Sequence, residues 1–383
     1  MNWNQMQALV PAPGQAPDYA RCLEAFPVLE QAKATPQEPR YHGEGDVWTH
    51  TCMVVDALLQ SADYLAATPD ERGVLFFAAL LHDVAKHRTT VVDPVTGRIG
   101  QPGHSRKGAV DARILLWEAG APFALREAVC RLIAVHQVPF YCLEDARRPV
   151  SPAWTVHELS WQLDIRLLAA LAEADMRGRI CADQARVLDS IELFRELARE
   201  EGCYGAPKAF VDAHTRLSYF RGADVHPDYP LFQTPGSKVT LMCGLPASGK
   251  DSWVREHRQG LPVVSYDDAR EALGLKHGEN DGKAAHHATD MAKALLREAR
   301  PFVWNATHLS RQMRSKALDL CYAYGAEVRI VYLEQPREEL LRRNGKRDTT
   351  LSNKALLGML HRWELPVPSE AHEVRYEVEG AAA

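Results

Sequence analysis

No run of eighteen uninterrupted apolar residues occurs in this 383-residue chain, so nothing in it reads as a membrane-spanning helix. The N-terminus lacks the basic-then-apolar pattern of a secretory signal. There is no Cys-x-x-Cys pair. The eight cysteines are scattered, which argues against a zinc knuckle or a disulfide framework and for reduced thiols in a cytoplasmic protein. Internal repeats and low-complexity segments are also missing. Nor does one sign of charge dominate: 45 Lys and Arg face 50 Asp and Glu, a formal net charge of −5. A mildly acidic total argues against non-specific polyanion binding by the whole surface, while leaving room for a local basic groove.

What is present is the composition of a soluble globular protein, 46% hydrophobic and 25% charged, in a chain long enough for two domains. Pro11, Pro13, Pro17, Pro27, Pro36 and Pro39 interrupt residues 1–45, to which no chemistry is assigned. From Val47 to about Leu197 the pattern is helical. Arg221 to Ser237 is punctuated by Gly222, Pro227, Pro230, Pro235 and Gly236, and beyond it short β-branched runs alternate with helical patterns. The expected division is a helical domain over 1–220 with its core at about 40–200, a linker over 221–237, and an α/β domain over 238–383.

The most informative stretch is GSKVTLMCGLPASGKDS, residues 236–252. A β-branched run ends in Gly244-Leu-Pro246-Ala-Ser248-Gly249-Lys250, the phosphate-binding P-loop pattern in its strand–turn–helix context. Glycines let backbone N–H groups approach a polyphosphate, the helix start adds its positive end, and Lys250 reaches the β- and γ-phosphates. The Ser/Thr that usually follows the lysine and ligates Mg²⁺ is replaced by Asp251, with Ser252 next. A carboxylate can bind Mg²⁺, so Asp251 is a candidate ligand for the Mg²⁺ that accompanies ATP or another NTP.

The helical half aims ligand-type side chains inward from several helices. His50 shares a helical face with Val47, Val54 and Leu58. His82 follows Val74, Phe77, Ala78 and Leu81, with Asp83 directly after it. His136 extends the face of Leu125, Val129 and Leu132, and Asp175 that of Leu168, Leu171 and Ala172. Burying an unpaired carboxylate costs several kcal/mol. Metal binding between the helices of a bundle explains all four at once.

The order of an early His, the His82-Asp83 doublet in LLHDVAK and a late Asp resembles the HD phosphohydrolase superfamily over about residues 40–200. The resemblance implies that His50, His82, Asp83 and Asp175 hold a divalent metal. His104 in GHSRKGA and His136 in AVHQ match the extra histidines of members that hold a second metal. The implied chemistry is metal-assisted phosphoester hydrolysis with one or two transition-metal ions, Mn²⁺, Ni²⁺, Co²⁺ or Fe²⁺. Lys86, Arg106, Lys107, Arg177 and Arg179 are candidates to hold the phosphate or steady the leaving group, and a solvated surface charge is the competing reading for each.

In the second half, strands are expected at Val239–Met242, Leu261–Ser265, Phe302–Trp304 and Val328–Leu333, with helices at about 250–258, 283–299 and 310–324. That alternation predicts a parallel sheet with its site at the strand carboxyl ends. Asp267 and Asp268 follow the second strand. Asp267 is positioned to take a proton from an attacking hydroxyl, and Asp268 is expected to cap the next helix. Arg342, Arg343, Lys346 and Arg347 cluster one helix after the last of these strands, where an arginine lid over phosphates belongs.

GLPASGK, Asp267-Asp268-Ala-Arg270 and Arg342-Arg343-Asn344-Gly345-Lys346-Arg347 resemble the phage-type polynucleotide 5′-kinase over residues 238–362. The resemblance implies Asp267 as general base, Arg270 on the phosphate of the accepting 3′ nucleotide, and Lys250, Arg343 and Arg347 on the transferring phosphoryl group. Asn305, Thr307 and His308 lie where that family contacts the acceptor strand. Together the halves look like the bacterial HD-Pnk family of end-healing enzymes. This implies an all-α HD bundle followed by a P-loop α/β domain with a parallel sheet. It further implies removal of 2′,3′-cyclic, 2′- or 3′-phosphates and phosphorylation of a 5′-OH on RNA or DNA ends, with an RNA ligase as a downstream partner. The rival readings are an HD nucleotidase or nucleotide sensor fused to a small-metabolite kinase.

Overall fold

The structure is a computed structural model that describes residues 1–144, 149–234, 236–276, 279–346 and 351–379. Two compact units divide the chain, Met1–Lys208 and Ala209–Ala383. Among the described residues no helix is long and apolar enough to cross a membrane.

The first unit is built on helices Val47–Gln60 (α1), Pro69–Leu81 (α2), His104–Glu118 (α3), Phe123–Val135 (α4), Pro152–Ser160 (α5), Ile165–Arg177 (α6) and Gln184–Glu200 (α7). Helix α2 starts on a capping box, Thr68 with Glu71, and has Pro69 in its first turn. Gly73 through Leu81 are all buried, so this helix is apolar all round and runs through the middle of the bundle. It packs between α1 and α4, and α6 closes over α1. The ends of these helices therefore converge on one interior point. A short antiparallel ribbon, Val91–Val92 with Ile99–Gly100, separates α2 from α3.

The second unit carries a five-stranded parallel sheet. Its strands are Lys238–Cys243 (β1), Val263–Ser265 (β2), Phe302–Asn305 (β3), Glu327–Glu334 (β4) and Glu373–Val378 (β5), in the order β2-β3-β1-β4-β5. Helices Lys250–His257 (α8), Tyr266–Ala272 (α9), Asp281–Arg297 (α10), Arg311–Ala323 (α11) and Arg337–Lys346 (α12) alternate with the strands. Strand β1 is central and buried from Val239 to Cys243, and it delivers the glycine-rich turn to the carboxyl edge of the sheet.

Three expectations change. A fifth strand, β5, pairs with β4 in register from Arg329 and Glu373 to Glu334 and Val378. The helix over Ala213–Phe220, placed by sequence in the first domain, belongs to the second unit, because Arg216 donates to the carbonyls of Ala371 (3.0 Å) and His372 (2.7 Å). Helix α9 is capped by Ser265, whose hydroxyl accepts from the Asp268 N–H at 3.0 Å, so Asp268 is the capped residue and not the cap.

Candidate functional sites

In the first unit His50, His82, Asp83, His136 and Asp175 come together in a fully buried cluster, with His104 at its edge. Each histidine is oriented by its backbone. Nδ1 of His82 faces the carbonyl of Ala79, that of His104 the carbonyl of Gln101 and that of His136 the carbonyl of Ile133, each at 2.8 Å. A nitrogen that faces only an acceptor carries the proton, so the lone pair of Nε2 points to the centre. His50 uses two acceptors, Gly178 O at 3.2 Å and Glu44 Oε1 at 3.0 Å. At the centre, Nε2 of His50 is 3.1 Å from Asp175 Oδ1 and 3.4 Å from Nε2 of His82. Asp83 Oδ2 is 3.1 Å from Nε2 of His82, and Asp83 Oδ1 is 3.5 Å from Nε2 of His104. His136 Nε2 is 3.9 Å from Asp175 Oδ2.

These donors fit a cation. Asp83 Oδ1 and Nε2 of His136 are buried without a hydrogen-bond partner among the described residues, a cost that an ion would remove. Among the described residues three donor sets have their ligand atoms within 4.8 Å of one another: His50-His82-Asp83 and Asp83-His104-His136, which share Asp83, and His42-Glu44-His50, which shares His50 with the first. Imidazole with carboxylate suits divalent transition metals. Burial acts to raise the Asp83 and Asp175 carboxyls, but neighbouring cations outweigh it and hold both well below the usual range. For Asp83 the neighbours that lower it most are His82 and Lys86, and for Asp175 the foremost is Arg179. Burial pushes His136 down to about 3, so its imidazole is neutral at any ordinary pH.

Of the cationic candidates, Lys86 is buried, with Nζ 2.7 Å from Asp83 Oδ2 and 2.6 Å from Gln37 Oε1. Arg179 grips Asp175 with two nitrogens at 2.8–2.9 Å. Arg177 is exposed and paired with Glu173, and Arg106 and Lys107 lie on the exposed side of α3. Sequence reasoning missed Glu44 and His42. The Glu44 side chain is buried, accepts from the Ile180 N–H at 2.8 Å, and faces Nδ1 of both His42 (2.7 Å) and His50. Burial opposes its ionisation, yet these three donors hold its carboxyl far below the usual value. The signal was the string HGEGD just before α1, where no periodicity marks a face.

In the second unit the P-loop takes the conformation its glycines permit. Gly244 (φ 140°), Ala247 (φ 64°) and Gly249 (φ 101°) all have positive φ. A Cβ on Gly244 would meet the Leu333 carbonyl oxygen at 2.4 Å. Ser248 is buried, and its carbonyl accepts from Gln335 Nε2 at 3.2 Å. Lys250 Nζ donates to the carbonyls of Gly244 (3.0 Å) and Leu245 (2.8 Å) and so lies across the loop. Asp251 accepts from Asn305 Nδ2 at 2.7 Å, whereas Ser252 turns away to Arg255. Arg343 stands over the loop, its Nη1 being 3.4 Å from where a Cβ on Gly249 would lie, and it pairs with Glu339 and Glu379. Arg347 lies outside the described residues.

At the end of β2, Asp267 is exposed and paired with Arg270, which also reaches Asp281 at 3.2 Å. Thr307 serves the loop through its backbone, its carbonyl accepting from the Gly244 N–H at 2.9 Å. His308 is placed differently from expectation. It is buried with φ 41°, its Nδ1 bonded to the Met242 carbonyl at 2.9 Å, and burial pushes it down to about 4. Its ring is part of the sheet's packing and is not exposed to solvent for an acceptor strand to touch.

Comparison with known proteins assigns both halves. Residues 47–150 match the HD domain model, and residues 239–366 match an AAA domain model. The first unit thus holds an HD domain, and the second is a P-loop, kinase-like domain. The two imply use of a nucleotide and of a divalent metal. A multifunctional CCA protein of Halorhodospira halophila is 35% identical over 172 residues, covering 45% of this chain and 36% of its own. An A-adding tRNA nucleotidyltransferase of Deinococcus radiodurans is 33% identical over 144 residues, covering 36% and 32%. This chain therefore spans about a third of the length of the curated relatives it matches. Among solved structures, a sugar kinase from a Janibacter species is 18% identical, covers 37% of this chain and 85% of its own, and has a TM-score of 0.28.

Proposed function

We propose that this protein heals broken nucleic-acid ends, the HD half hydrolysing 2′,3′-cyclic, 2′- or 3′-phosphates and the P-loop half phosphorylating a 5′-OH from ATP or another NTP. The observation that carries this reading is a pairing within one chain. A buried cluster of four histidines and two aspartates accompanies a P-loop unit that offers Asp267 and Arg270 side by side at the end of β2. A general base beside an anion-holding guanidinium suits an acceptor that carries both a hydroxyl and a phosphate, as a polynucleotide end does. The relative named a tRNA nucleotidyltransferase works on a polynucleotide, which favours nucleic acid over a free metabolite for this chain too.

In the HD half, His50, His82, Asp83, His104, His136 and Asp175 would hold one or two divalent ions, which supply an activated water and polarise the phosphoryl oxygen. Arg179 keeps Asp175 ionised and fixed. Lys86, held by Asp83 and Gln37, places a cation beside the cluster to steady charge on the leaving oxygen. In the kinase half, Lys250 exchanges its two loop carbonyls for the β- and γ-phosphates, and Arg343 covers them from above. Asp267 takes the proton of the 5′-OH as its oxygen attacks the γ-phosphorus, and the bond from that phosphorus to the β–γ bridging oxygen breaks to release the nucleoside diphosphate.

One substrate tests both halves. An RNA oligonucleotide with a 5′-OH and a 2′,3′-cyclic end, incubated with Mn²⁺, Ni²⁺ or Co²⁺, should acquire a 3′-OH without ATP and a 5′-phosphate only with it. Phosphorylation of a mononucleoside in preference to the oligonucleotide would overturn the polynucleotide reading.

A further inference from the structure

In ordinary P-loop enzymes Mg²⁺ is held by a hydroxyl in the loop and an aspartate from elsewhere in the sheet's carboxyl edge. Here the residue after Lys250 is Asp251, and the residue that ends β3, the strand next to β1, is Asn305. The two side chains touch, Asn305 Nδ2 donating to Asp251 Oδ1 at 2.7 Å. A carboxylate oxygen only accepts, so the amide must present its nitrogen to Asp251, and this fixes which way the Asn305 oxygen points. That oxygen, Oδ1, is buried and has no hydrogen-bond partner among the described residues. Ser252 does not supply the missing hydroxyl, because one residue along the helix it faces outward and accepts from Arg255 at 3.2 Å.

We infer that the loop and the strand end have exchanged roles. Asp251 supplies the single carboxylate of the kinase metal site from the loop, and Asn305 positions it by donation and offers its orphaned Oδ1 to the metal or a metal-bound water. The negative charge at the site is conserved while its bearer moves from the strand to the helix start. Two carboxylates facing each other across 2.7 Å would repel, which is why an amide stands at 305 once an acid stands at 251. The inference rests on the kinase reading of this unit.

The test is the strengthening of ADP binding by Mn²⁺, measured by calorimetry and by Mn²⁺ electron paramagnetic resonance on the full chain, with EDTA as the metal-free arm. Asp251→Asn keeps the shape and the contact but removes the charge, and it should lower the Mn²⁺-dependent gain about tenfold or more, while metal-free ADP binding is kept or strengthened because a negative charge beside the phosphates is gone. Asn305→Asp should weaken Mn²⁺ use by setting two acids together. The double variant Asp251→Ser, Asn305→Asp restores the ordinary arrangement and should recover the gain that Asp251→Ser alone loses. An Mn²⁺ gain unchanged in Asp251→Asn, or a double variant no better than Asp251→Ser, overturns the exchange while leaving the kinase reading in place. A parent chain that binds no ADP in either arm overturns both.

Discussion

Gly178 lies so close to Val54 that a Cβ on the glycine would stand 2.7 Å from the Val54 nitrogen and 2.6 Å from its Cγ2. The glycine follows α6 and the valine is in the middle of α1, so this contact sets how tightly the two helices approach. The Gly178 carbonyl is also one of the acceptors that orient His50. Gly178→Ala must therefore push α6 from α1 and turn a cluster histidine. Overpacking of this kind costs about 1–3 kcal/mol. The expected result is a lower unfolding temperature together with weaker Mn²⁺ or Co²⁺ binding. A variant with parental metal affinity would show that the glycine serves packing alone.

Glu44 should matter to metal binding through His50. Its carboxylate fixes Nδ1 of His50 and thereby the lone pair on Nε2. Loss of such an outer partner commonly weakens metal binding by about 10–100-fold. Glu44→Ala is expected to fall in that range, and Glu44→Gln, which keeps an acceptor, to recover part of it. The Co²⁺ absorption spectrum reports ligand geometry directly, and identical spectra for Glu44→Ala and the parent would dismiss the role.

Glu44 also shows where the sequence was silent. The inward faces of α1, α2, α4 and α6 repeat at helical spacing, so His50, His82, His136 and Asp175 were visible as polar residues in apolar rows. Glu44 and His42 sit in a turn, where no period distinguishes a buried acid from a solvated one. Arg179 reads as a phosphate holder because a sequence shows its charge but not the bidentate grip on Asp175 that occupies it. In the second unit β1 to β4 were legible as β-branched runs. Strand β5, Glu373 to Val378, lies at the sheet's edge and is only partly buried, so it lacks the β-branched run of the others and shows itself in sequence only as the alternation of EVRYEV. His308 sits next to the strand end but at positive φ, and that turn directs its ring into the core.

The first unit should lose stability in acid through Glu127. Its carboxylate pairs with Arg113 at 2.8 Å and Arg126 at 2.9 Å, joining α3 to α4 in a buried triad. Burial alone would raise its pKa, but the two guanidinium groups hold it at about 2. A folded value below the unfolded one, about 4.3, means the stabilisation is present above that pH and is lost as pH falls toward 2. Glu127→Gln removes the negative charge that lies between two buried guanidinium groups and should cost about 3–5 kcal/mol at neutral pH. The gap between variant and parent should shrink as pH approaches 2. Amide exchange across residues 104–135 would follow it, and a gap equal at pH 7 and pH 2 would contradict the assignment.

The two proposed activities should fail independently, since each is built from one unit. Lys250→Ala removes the charge that follows the γ-phosphate into the transition state, and Asp267→Asn removes the base. Such losses cost factors of about 10² or more in rate. Neither should alter 3′-end hydrolysis, because the metal cluster draws all six of its proposed ligands from Met1–Lys208. Asp83→Ala removes the carboxylate shared by two of the donor sets and should abolish hydrolysis, with 5′ phosphorylation near the parental rate. That substitution also strips His82 and Lys86 of their anion in a buried site, at 3.1 and 2.7 Å respectively, so the fold must be followed in parallel by circular dichroism. Asp83→Asn, which keeps the volume and loses the charge, separates a missing ligand from a collapsed pocket. If folded Asp83→Asn loses 5′ phosphorylation, or Lys250→Ala loses 3′-end hydrolysis, the two reactions share one composite site and the division of labour drawn here is wrong.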